Sequence, residues 1–195
     1  ACHGYFNSQN PLLSALVLAS DLSDQGGFDG VSFLPFLKDI VETESDDVVT
    51  LQDLFTYDLR NCQLATMSAC ETGMVDFTSL TDEYIGLQSG FLYAGTSAVL
   101  SSLWPVRDLA TSFLMARFYQ HLQPETPFSV TLIEAQQWLR AVKKMELKNW
   151  IEQQSFYQIP SIRSVLNRWL HQIPEDEMPF KDPFYWAAFY MTGQP

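Results

Sequence analysis

The sequence predicts an α/β fold built on a parallel sheet, and three observations predict it. QLATMSAC (63–70) is a short apolar run ending in small residues, the pattern of a strand buried on both faces. YIGLQSGFLYAG (84–95) suits a helix closed by Gly95. TSAVLSSLW (96–104) is a second buried-strand candidate, halted by Pro105. Strand, helix and strand in that order make a parallel crossover.

The other elements follow in chain order. SALVLAS (14–20) is an apolar run between Asn10-Pro11 and the turn-rich DLSDQGGFDG, and reads as a strand. Gly26, Gly27 and Gly30 have no accompanying Lys-Ser/Thr and no glycine-spaced fingerprint, so they read as a loop and not as a phosphate cradle. ETESDD (42–47) reads as a solvated acidic loop. Thr50 is a plausible N-cap for a short helix over TLQDLF. Asp108 is placed to cap a helix whose Ala110, Leu114, Phe118 and Leu122 recur every four residues.

QPETP breaks that helix, and another follows with Thr131 and Glu134 at capping-box spacing. Its Leu132, Ala135, Leu139 and Val142 share a face. From Ser161, the residues Ile162, Val165, Leu166, Trp169 and Leu170 form an amphipathic stripe. WAAFYMTG near the end reads as a last strand, and the aromatics crowded around it read as core.

Composition narrows the function. At 195 residues and 47% apolar content, the chain suits a single domain or most of one. A formal net charge of −12 and the lack of a basic patch oppose binding to nucleic acid or anionic lipid. No run of apolar residues reaches membrane-spanning length, and no signal peptide opens the chain. Cys2, Cys62 and Cys70 are odd in number and irregularly spaced, which signals neither a disulfide framework nor a zinc site and points to a reducing, cytoplasmic compartment.

Two short sequences carry the elements of thiol chemistry. A cysteine hydrolase needs a thiolate, a neighbouring base, and backbone N–H donors facing the oxyanion. His3-Gly4 offers an imidazole beside a residue without Cβ, whose amide can approach a substrate. Cys70 follows an apolar strand and precedes Glu71-Thr72-Gly73, so its sulfur is expected at the carboxyl edge of the sheet, where open α/β folds place their sites. His121 and His171 fall near predicted helix C-termini, where a cationic imidazole is favoured.

ACHGYF, PLLSALVLAS, MSACETG, SGFLYAGTSAVLSSLWPVRD, FLMARFYQHL, LIEAQQWLR and DPFYWAAFYMTG occur in that order from residue 1 to residue 195. Together they resemble the CHAT domain, a caspase-like cysteine peptidase domain related to caspases, separase and gingipains and often fused to TPR repeats. The resemblance implies a three-layer caspase-like fold with a mainly parallel sheet. Residues 1–195 would be the C-terminal portion of one such domain, with the first strands lying upstream of Ala1. It implies that His3 is the general acid/base, that Cys70 is the nucleophile, and that the amides of Gly4 and Cys70 form the oxyanion hole. It also implies that Leu103, Trp104, Val106 and Asp108 border the pocket for the side chain preceding the cut. Asp108 there favours a basic residue and the other three an apolar one; Asp108 as a plain helix cap is the competing reading.

The expected activity is hydrolysis of peptide bonds in a regulatory protein substrate, without metal or organic cofactor. A TPR or other repeat domain in the parent chain is the expected regulator, and neither nucleic acid nor membrane is an expected partner. The isolated piece, with an exposed sheet edge, is expected to be inactive or to self-associate. The alternative is a catalytically silent caspase-like scaffold that binds proteins. A metal-dependent hydrolase is disfavoured by the Cys and His spacing.

Overall fold

Short apolar runs beside helical segments fold here as small sheets covered by helices. The computed structural model describes residues 2–5, 10–18, 48–67, 86–104 and 106–193. These residues divide into two units, one of 1–106, 127–129 and 188–195, the other of 107–126 and 130–187.

The first unit holds two three-stranded sheets. In one, β1 (Cys2–Tyr5), β2 (Ala15–Leu18) and β3 (Val48–Thr50) pair antiparallel in that order. Only nine residues separate β1 from β2, fewer than the dozen or so that a parallel crossover needs. In the other, β5 (Ala98–Ser102) lies between β4 (Leu64–Thr66), which runs parallel to it, and β6 (Phe189–Gly193), which runs antiparallel. The chain between β4 and β5 contains α2 (Leu87–Tyr93) and is long enough to cross over. The described residues therefore form a mixed α/β fold of small sheets, one of them partly parallel. Every residue of β5 is buried, which explains its uninterrupted apolar and small character.

Local chemistry sets the ends of the helices. In α1 (Leu51–Leu54), Thr50 Oγ1 accepts from the Asp53 N–H at 3.1 Å and Asp53 Oδ2 accepts from the Thr50 N–H at 2.9 Å, a reciprocal capping box. Helix α2 ends in a Schellman arrangement. The Gly95 N–H donates to Leu92 O at 3.1 Å, the Thr96 N–H donates to Phe91 O at 3.0 Å, and Gly95 takes φ +108, which a residue without Cβ adopts freely. Leu16, Leu51, Leu54, Met67, Leu87 and Val99 form one buried cluster joining β2, α1, the end of β4, α2 and β5. Each such side chain, once fully buried, contributes about 1.5–3 kcal/mol of transfer free energy.

The second unit is helical: α3 (Asp108–Gln120), α4 (Phe128–Ala141), α5 (Lys144–Glu152) and α6 (Pro160–His171), with the first two residues of α4 counted in the first unit. Ala110, Leu114 and Phe118 are buried along α3, and Leu132, Ala135 and Leu139 along α4, as their spacing predicts. Phe113 packs edge-on against Trp150 and Phe180, with centroids 5.7 and 5.9 Å away, and Trp169 stacks on Phe180 at 5.6 Å. Such pairs add about 0.5–1.5 kcal/mol each beyond area burial.

Three boundaries depart from expectation. Arg107 holds the N-cap position of α3, so Asp108 is its first helical residue and makes no cap hydrogen bond through its side chain. Its carboxylate in the first turn still complements the helix dipole. Thr131 lies inside α4 and is fully buried, because the helix begins three residues earlier. Helix α6 starts on Pro160, whose fixed φ suits a first helical position, and its Ile162 and Val165 face solvent while Leu166 and Leu170 are buried.

Candidate active site

The expected base stands on β1. His3 pairs with Val17 and Gly4 with Leu16 across the antiparallel ladder to β2. The strand runs on through His3 and Gly4 to Tyr5, so the His-Gly pair lies within a strand and not beyond the end of one. Gly4 is a nominated oxyanion donor.

The expected nucleophile, Cys70, lies outside the described residues, as do Glu71 and Gly73. The strand that leads to it is described. β4 runs parallel to β5, and the Met67 N–H donates to Leu100 O at 2.8 Å, extending the pairing one residue beyond the strand. Met67 is 2% exposed and shares its buried cluster with Leu16, the residue opposite Gly4. One core therefore joins the strand beside the His-Gly pair to the residue three positions before Cys70.

The described residues include a second thiol for comparison. Cys62 is half-buried, and its Sγ donates to Leu64 O at 3.5 Å, which ties it to the start of β4. Among the described residues no group of three His, Cys, Asp or Glu is arranged to hold a metal ion. No helix among them is long and apolar enough to cross a membrane.

The segment after β5 carries the four specificity candidates. The Leu103 N–H donates to Ala188 O at 2.9 Å, which continues the β5–β6 ladder and leaves the Leu103 side chain 43% exposed. Trp104 and Val106 are half-buried. Asp108 is exposed at the start of α3, and its carbonyl accepts from Ser112 Oγ at 2.7 Å. Leu103, Trp104 and Val106 belong to the first unit and Asp108 to the second. Beside Asp108, Arg107 and Leu109 line a groove of about 480 Å³ with Trp169, Ile173, Tyr185, Gln172 and Glu177, a mixed surface that carries both a cation and an anion.

Sequence reasoning did not single out the polar pair at the carboxyl end of β5. Gln88 of α2, 6% exposed, donates through Nε2 to Tyr190 Oη at 2.7 Å, and Tyr190 stands opposite Ser101. Burial pushes the Tyr190 hydroxyl pKa up, opposed by hydrogen bonds with Thr192 and Gln88. The pair is 102 residues apart in the chain, so no local pattern signals it. On the surface, Arg60 clamps Asp58 through two hydrogen bonds of 2.8 and 2.7 Å, which lower the Asp58 carboxyl to about 2.

Compared with known families, residues 1–194 match the CHAT domain, and the chain belongs to this family of caspase-like peptidases. No curated protein matches it.

Proposed function

We propose that the chain carries the catalytic dyad of a caspase-like cysteine endopeptidase, with Cys70 as nucleophile and His3 as general acid/base. The observation that carries this reading is that the CHAT match spans both the His3-Gly4 pair and Cys70. It is supported by the shared core that links the neighbour of β1 to the strand leading to Cys70.

In this mechanism the Cys70 thiolate attacks the scissile carbonyl carbon, forming a C–S bond and placing negative charge on the carbonyl oxygen. The amides of Gly4 and Cys70 receive that oxygen. Collapse breaks the C–N bond, and the amine leaves with a proton from His3. Water then gives a proton to His3 and adds to the thioester, and breaking of the C–S bond releases the acid and restores the thiolate. The chemistry uses neither metal nor organic cofactor.

The substrate is a regulatory protein whose cut site is read by Leu103, Trp104 and Val106 of the first unit. A reducing, cytoplasmic setting suits a free thiolate, and TPR or other repeats in the parent chain would control access.

A thiol-directed electrophile tests the proposal, because an activated thiolate reacts near neutral pH while an ordinary thiol lags. Cys70 should be alkylated much faster than Cys62 as followed by peptide mass spectrometry, and His3→Ala should slow Cys70 to the pace of Cys62. Equal, slow labelling of both thiols in the native chain would instead favour a silent scaffold. In the full-length parent, Cys70→Ala should lower cleavage of the partner protein by several orders of magnitude without unfolding the domain.

A further inference from the structure

Basic side chains of two helices converge on a groove in the second unit that none of the proposed catalytic or specificity residues lines. α5 supplies the cations Lys144 and Lys148, and α6 supplies the cation Arg168 and the His171 imidazole, around a groove of about 580 Å³. Lys144 keeps its side chain only 14% exposed, with Glu175 Oε1 3.8 Å from Nζ, and Lys148 stands 3.9 Å from Glu152. Both distances are long for charge-assisted hydrogen bonds, which prefer about 2.7–2.9 Å. Arg168 and His171 have no ion-pair partner among the described residues. Tyr157 Oη donates to Asn167 Oδ1 at 3.0 Å, and both side chains line the groove.

Charge is unevenly divided along the chain. Residues 107–187 contain nine Lys and Arg and nine Asp and Glu, so this stretch is neutral and the rest carries the entire formal −12. A concave site that gathers cations within a strongly acidic protein gives an anionic partner a specific place to bind and repels it elsewhere.

We infer that this groove is a docking site for an acidic peptide segment of a protein partner. Its length fits a peptide. From Lys144 to Glu152, α5 rises about 12 Å at ~1.5 Å per residue, the span of roughly four extended residues. Its lining is also mixed, with the half-exposed Met145 offering apolar contact among the charged groups, which suits side chains alternating between carboxylate and aliphatic. Glu152 and Glu175 separate the positive charges and disfavour the dense phosphates of a nucleic acid. The site does not depend on the Cys70–His3 reading.

The test is fluorescence anisotropy on the full 195-residue chain with a labelled peptide of about eight residues alternating glutamate and leucine. The peptide should bind, bind more weakly as salt rises, and lose about tenfold or more in affinity in the Lys148→Glu, Arg168→Glu double variant. Both positions are exposed, so far-UV circular dichroism should be unchanged. If the double variant misfolds, Arg168→Gln alone carries the test, with a several-fold loss expected. Failure of the native chain to bind, equal binding of a glutamine–leucine peptide, or full affinity in the folded variants would overturn the proposal. Tighter binding of a single-stranded oligonucleotide would overturn it too, by assigning the groove to phosphate.

Discussion

Gly193 ends β6 with φ +105, and a Cβ there would run into the Ser97 carbonyl oxygen and come within 3.1 Å of Ala98 Cα. Both obstacles are backbone at the start of β5 and the residue before it, which cannot rotate aside. Gly193→Ala should therefore cost about 1–3 kcal/mol, seen as a lower midpoint in chemical denaturation. A midpoint equal to that of the native chain would show that the strand end can shift.

Asp58 makes a different statement at the same scale. Its carboxyl is held at about 2 by Arg60, below the ordinary value, so the favourable interaction is complete above the unfolded-state carboxylate value near 4 and is lost as pH falls toward 2. Both groups are exposed, so the consequence belongs in the titration and not in stability. An NMR titration should place the Asp58 midpoint near 2 in the native chain and near the ordinary value in Arg60→Ala.

Elements were legible wherever the signal was local. The Thr50 cap of α1, the Gly95 close of α2 and the apolar runs of β2 and β5 all lie where sequence put them, because each depends on contacts within a few residues. Thr50→Ala removes the acceptor for the Asp53 N–H and should cost about 1 kcal/mol, lowering Tm by roughly 2–4 °C in a scan. The starts of α3 and α4 depart by different amounts: Arg107 takes the N-cap position one residue before the exposed Asp108, whereas α4 begins at Phe128, three residues before Thr131, which packing buries completely. Strand direction was least legible. Apolar content marks a strand as buried without saying whether its neighbour runs with it or against it, so the antiparallel β1–β2–β3 sheet went unread.

For the whole molecule, the second unit turns on one aromatic side chain. Phe113 touches Trp150, Trp169 and Phe180, so it links α3, α5, α6 and the segment after α6. Phe113→Ala should cost about 3–5 kcal/mol through lost burial and the cavity left behind. Hydrogen exchange should then show the largest loss of protection across 107–126 and 130–187. Unchanged exchange in those residues would mean that the neighbouring rings close the gap.

Sequence by itself determined the class of the chain and the chemistry open to it. His3-Gly4 and the apolar approach to Cys70 sit in ordered blocks, and residue type, spacing and order are properties of the chain before it folds. Tertiary structure alone decided what lies beside what. It set β1 antiparallel to β2, joined Leu16 and Met67 in one buried cluster, and brought Lys144, Lys148, Arg168 and His171 around one groove. Such neighbours are chosen by burial and by closing hydrogen-bond ladders between distant segments, and a linear pattern carries no record of that choice.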